Sequence, residues 1–136
     1  YASAAVSIVN NSETVLLFNT ERWDTDTMHS LVSNTGRITF TTAGLYSVGF
    51  GGSITGGATG LRQFNIRLNG TTYIARDVRR DGATGGTLVI AIGTDYQFAA
   101  NDYIEATQYQ DSGGELATIA NLNAAPEFWA TYRSGF

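Results

Sequence analysis

The chain has 136 residues and a formal net charge of -4, with 16 glycines, one proline and no cysteine. That length suits a single domain able to bury a core without metal or disulfide help, and the missing thiols exclude a disulfide framework and a thiolate metal site. The acidic balance opposes a phosphate backbone, which needs clustered cations, and no apolar run approaches the ~20 residues that span a bilayer; neither nucleic acid nor membrane insertion is expected.

Ala2 to Val9 and Glu13 to Phe18 are β-prone runs separated by Asn10-Asn11-Ser12, residues that favour turns. Asn19 to Asn34 is polar, with Trp23 and Met28 as the only large apolar groups before Leu31, and reads as a long loop holding one short strand. Ile38 and Phe40, then Tyr46, Val48 and Phe50, recur with the period of two that turns one face of a strand toward a core. Ser53 to Gly60, rich in Gly and Thr, is expected to end that strand as an exposed loop. Phe64, Ile66 and Leu68 alternate with polar residues and lead into Asn69-Gly70, the dipeptide that best tolerates the two positive φ angles of a type I′ hairpin turn. Arg76 to Gly86 reads as a charged, glycine-rich loop.

Thr87 to Ile92 is apolar on both parities, so this strand is expected to be covered on both faces, by a second sheet or another subunit. Tyr96 and Phe98 precede a turn at Ala99 to Asp102, and Tyr103, Ile104, Ala106 and Tyr109 mark the next strand. Asp111 to Gly114 turns again, Leu116 to Leu122 is a weak edge strand or loop, and Phe128 to Tyr132 is a compact last strand with aromatics on both faces. No stretch keeps a helical period. About eight to ten short strands with turns between them predict an all-β sandwich or jelly roll.

Positive signs of catalysis are missing: there is no nucleophile elbow, phosphate-binding glycine loop or His-Glu-x-x-His pattern. The one histidine, His29, could form a base with Asp24 or Asp26, but its polar setting reads as a surface loop. Asp24 and Asp26, or Asp77 and Asp81, offer the oxygen ligands a calcium ion takes, without the dense spacing of an EF-hand. Arg79 and Arg80, with Arg76, fit either an ion-pair cluster between subunits or a solvated loop. Trp23 lies in a polar loop and suits a contact surface. No catalytic residue and no cofactor is expected.

The order of landmarks resembles the C1q and tumour-necrosis-factor superfamily. Val15 to Asn19 is similar to its early strand, Thr35 to Phe40 to its "tG-x-Ftcp" strand, and Ala43 to Phe50 to its "pGlYyFsf" pattern, while Ile66 to Gly70, Ala99 to Ile104 and Phe128 to Tyr132 follow in the family's order. Ala43, Asn101 and Ala130 replace the usual proline and two glycines, which sets the chain apart from animal C1q proteins. The loop Arg22 to His29 and the turn Gln110 to Gly114 resemble C1q-like modules of bacteriophage virion and bacterial surface proteins.

The resemblance implies one ten-stranded jelly-roll domain over residues 1–136 that assembles as a homotrimer. A chain opening at Tyr1 is read as a processed product or the terminal part of a longer polypeptide. The expected subunit contacts are Leu88, Ile90, Ile92, Phe128, Trp129 and Tyr132, and the expected contact loops carry Trp23, His29, Arg79, Arg80 and Asp111. The implied role is a non-enzymatic decoration, head-fibre or tail-fibre module on a virion, in contact with other virion proteins or a host-surface glycan or protein. The alternative is a bacterial surface adhesin or carbohydrate-binding module that uses the loops around Trp23, Gly56 to Gly60 and Asp111 to Gly114.

Overall fold

The computed structural model describes residues 1–56, 59–81, 86–121 and 123–135. The strands in chain order are β1 (Ser7–Ile8), β2 (Thr14–Val15), β3 (Arg37–Thr39), β4 (Gly44–Ile54), β5 (Gly60–Leu68), β6 (Thr72–Asp81), β7 (Leu88–Phe98), β8 (Tyr103–Gln110), β9 (Leu116–Ala117) and β10 (Glu127–Ser134). No helix occurs among the described residues. One sheet has the order β10-β4-β7; a second has the order β2-β8-β5-β6 with β3 also paired to β8; β1 and β9 form a short third pair. All the strand pairs are antiparallel.

The period-two pattern chose the faces as expected. Tyr46, Val48, Phe50 and Ile54 of β4 meet Phe64 and Ile66 of β5 and Ile104 and Ala106 of β8 in one buried cluster. Phe40 and Phe98 stack with ring centroids 3.9 Å apart, and Tyr46 tilts against Phe40 at 4.6 Å. Burying a phenylalanine this completely contributes about 1.5–3 kcal/mol, so these rings set the spacing of the two sheets.

The Asn69-Gly70 hairpin forms as read: φ is 49° at Asn69 and 73° at Gly70, and Leu68 O accepts the Thr71 N–H at 3.0 Å. The Asn69 side chain then ties the turn to β8, accepting from Tyr103 N at 2.9 Å and donating to Asp102 Oδ1 at 2.8 Å.

Two expected loops are partly strand. β4 continues to Ile54 because Ser53 and Ile54 pair with Val89 and Leu88, which leaves a connection of residues 55–59 before β5, with residues 57 and 58 outside the described residues. Residues 76–81 extend β6 as an edge strand paired to β5, so Arg79 and Arg80 stand on a strand and not on a loop. An edge strand tolerates charge, which is why composition misled there. Residues 82–85 of that expected loop, and residue 122 of the weak strand after Asp111, also fall outside the described residues.

The strand Leu88 to Ile92 divides its faces inside one chain. Leu88, Ile90 and Ile92 pair with Ile54, Gly52 and Phe50 on the core side, and Ile90 is buried there. Phe128 packs against the same core and Tyr132 meets Tyr46 edge-on at 5.2 Å. Five of the six residues expected at a subunit contact are therefore on the inner face of their own sheet, because they share the parity of the core residues Tyr46, Phe50 and Ile54 across the ladder. Trp129 alone faces out.

Candidate functional site

Two surfaces stand out, and both involve β10. The first is the outer face of the β10-β4-β7 sheet. Register places Leu45, Ser47, Gly49 and Gly51 of β4 beside Gln97, Asp95, Gly93 and Ala91 of β7, and beside Thr131, Trp129 and Glu127 of β10. The Trp129 indole lies over Gly49: a Cβ built on that glycine would sit 2.0 Å from Cζ2 of the ring. Only glycine leaves room for the ring, which remains 39% exposed. Val89, 63% exposed, closes the other side of this face, and Ser47 Oγ donates to Asp95 across the β4-β7 pair.

The second surface is a cleft of about 390 Å³ between residues 18–29 and β10. Phe18, Met28, Ile38, Phe128 and Ala130 line it with apolar surface; Phe18 and Phe128 stack with centroids 5.7 Å apart. Trp23 also lines it and is 73% exposed. Arg22 clasps the loop to the last strand by donating to Glu127 Oε1, the Nε contact being 2.9 Å, and its guanidinium stands 5.0 Å from the Tyr1 ring centroid.

The loop holds its shape through two side chains. Asp24 accepts the backbone N–H groups of Met28 and His29, each at 3.0 Å, and this short-range cap is what an aspartate favours in a turn. His29 stands 2.8 Å from Glu21 Oε1 through Nδ1 and 3.0 Å from Thr35 O through Nε2. Both ring nitrogens face oxygen atoms of the chain itself, so neither is turned toward open space where a substrate could reach it. Its role in this geometry is to fasten the loop to the segment before β3.

The calcium candidates are not assembled into a site. Asp24 is used by the backbone, Asp26 is exposed, and no group of three or more His, Cys, Asp or Glu side chains that could hold a metal occurs among the described residues. Asp77 binds Arg79 in a two-point contact at 2.9 and 3.1 Å on the exposed edge of β6; the side chain of Asp81 is outside the described residues. Asp111 accepts the Leu61 N–H and lies against Gly60. The expected glycan loops thus separate: the Trp23 loop borders the cleft, whereas Asp111 belongs with the start of β5.

Of the expected contact residues the cleft gathers Trp23 and His29, and from the expected subunit contacts it gathers Phe128 and Trp129. Sequence reasoning missed Glu21, Arg22 and Glu127. Arg22 and Glu127 pair across a separation of 105 residues, and no local pattern carries such a partnership.

A second charged cluster lies away from the cleft, on the outer face of the β8-β5 pair. Glu105 bridges Arg37 and Arg67 at 3.0 Å each, and Arg67 also reaches Glu13 at 3.0 Å. Tyr73 donates to Glu13 Oε2 at 3.0 Å. Every charge here faces an opposite one within the chain, and the cluster ties Glu13, just before β2, to β3, β5, β6 and β8.

No family model matches the chain, and no curated protein matches it either. Among solved structures, the globular domain of zebrafish complement 1qA protein superposes with a TM-score of 0.59, covering 97% of this chain and 98% of that one at 15% identity. The fold is therefore a C1q-like jelly roll.

Proposed function

We propose that this chain is a non-catalytic assembly and binding module that forms a homotrimer through the outer face of the β10-β4-β7 sheet and is displayed on a virion surface as a decoration or fibre protein. The observation that carries the trimer is the apolar middle of that face, where Trp129 and Val89 stand exposed beside Gly49, Gly51, Gly93 and Ala91, with the polar Ser47, Asp95, Gln97, Thr131 and Glu127 around them. Burying such a face against a second copy is favourable by the hydrophobic effect. The placement on a virion is supported by the resemblance of the Arg22 to His29 loop and the Gln110 to Gly114 turn to phage modules.

Light scattering at micromolar concentration is expected to give about three times the 14.6 kDa chain mass, and Val89→Arg to lower it toward one chain. A parent protein at the single-chain mass refutes the trimer. A second reading, a bacterial surface adhesin, is favoured by the cleft beside Trp23. Immunogold labelling separates the two, since particles label in the first case and cell envelopes in the second.

A further inference from the structure

The cleft between residues 18–29 and β10 has the make-up of a binding site. Its volume of about 390 Å³ lies in the ~300–1,000 Å³ range of small-molecule sites, which combine an apolar lining with a few convergent polar groups. Here Phe18, Met28, Ile38 and Phe128 supply the lining, while Thr20, Glu21, Asp24, Thr25 and Glu127 bring oxygen atoms to its edge. Trp23 is 73% exposed and has no ring or cation partner among the described residues, although Tyr1, Phe18 and Phe128 all have one. An indole left this open loses the gain of burial, which a ligand stacked on it would restore.

The charges decide the class of ligand. Three carboxylates, Glu21, Asp24 and Glu127, border the cleft against two cations, the Arg22 guanidinium, which Glu127 already engages, and the Tyr1 ammonium, which donates to Thr20 O, while Glu21 also meets His29. Anionic groups are repelled. The carboxylates remain good acceptors, because each oxygen carries two lone pairs and those of Asp24 accept one backbone bond apiece. A ligand that fits has one apolar C–H face for the indole, several O–H donors for the carboxylates, and no negative charge. We propose that the cleft binds a neutral pyranose sugar, stacked on Trp23 and hydrogen-bonded to Asp24 and Glu127. The assignment deepens the binding part of the function proposed above and does not depend on the trimer.

The test is saturation-transfer NMR of the full chain with lactose, cellobiose and methyl β-glucoside, with glucuronic acid as the anionic probe, followed by tryptophan-fluorescence titration. At least one neutral sugar is expected to receive saturation, strongest at its ring C–H protons, and glucuronic acid much less. Trp23→Ala is expected to weaken binding about tenfold with unchanged melting temperature and scattering mass, and Trp23→Phe to recover part of the loss. Absence of transfer to all three neutral sugars at millimolar concentration overturns the proposal, as does equal binding by Trp23→Ala or preferred binding of glucuronic acid. A trimer that binds no sugar removes the cleft assignment alone, whereas a sugar-binding monomer removes the trimer alone.

Discussion

Gly49→Ala is a demanding test of the packing on the outer sheet face. The added Cβ would stand 2.0, 2.3 and 2.8 Å from three atoms of the Trp129 ring, where carbon atoms rest at about 3.5–4.0 Å. The ring must therefore move by about 1.5 Å or swing away, and returning roughly 50 Å² of its surface to water costs about 1.3 kcal/mol at ~25 cal/mol/Å². Strain in whatever contact remains brings the penalty to about 2 kcal/mol. Alanine also removes the disadvantage of glycine in a strand, about 0.5–1 kcal/mol, so the net destabilisation is about 1 kcal/mol. At this chain length that lowers the melting temperature by roughly 3–5 °C. Circular-dichroism melts at one fixed protein concentration measure it, and the same substitution in a Trp129→Ala background completes a double-mutant cycle. There the obstructing ring is gone and Gly49→Ala is expected to stabilise the protein. The reasoning fails if Gly49→Ala melts at or above the parent with Trp129 present, or if the shift is the same in both backgrounds.

Glu105→Gln is expected to destabilise by about 1–3 kcal/mol in urea unfolding, because the change removes a nearly buried carboxylate from two arginines while Arg67 keeps Glu13; a loss under about 0.5 kcal/mol would show the bridge to be dispensable. Burial raises the Tyr46 phenol above its ordinary value, with Asp26 and Tyr132 adding to it, and for Tyr73 burial and then the bond to Glu13 act in the same direction. A raised folded-state value means that the unfolded chain loses these protons first, so their contribution is full below the unfolded phenol value near 10 and is lost as pH rises through the folded one. Melting temperature is accordingly expected to fall above about pH 10, and Tyr46→Phe to flatten part of that fall; an unchanged alkaline slope in Tyr46→Phe refutes the assignment to Tyr46.

The sequence carried the fold where side chains alternate and failed where neighbours elsewhere decide. Tyr46, Val48 and Phe50, or Asn69-Gly70, declare their conformation within a few residues, and the structure keeps them as read. Ser53 to Gly60 looked like a loop because glycine and threonine punctuate loops, yet Ser53 and Ile54 find ladder partners in Val89 and Leu88. Arg76 to Asp81 looked like a loop because it is charged, yet an edge strand can turn such residues to water. The apolar run from Leu88 to Ile92 gave a real strand but hid which parity its own core would claim. For the cleft, Trp23 and His29 were visible as odd residues in a polar segment. The clasp of Arg22 on Glu127 was not, because only the folded chain brings residues 22 and 127 together.

The order of strands in the β10-β4-β7 sheet also bears on how the chain reaches this state. β4, its middle strand, has partners roughly 40 and 80 residues further along, so no hairpin builds this sheet locally. The β5-β6 hairpin closes early, within about 1–10 μs, while β4 must wait for distant loops to close, and folding in milliseconds to seconds follows from such non-local pairing. On a ribosome the apolar row of Tyr46, Val48 and Phe50 has no β10 beside it until residues 127–134 have emerged. The chain is thus most exposed to mispairing during its synthesis, before its last strand is in place.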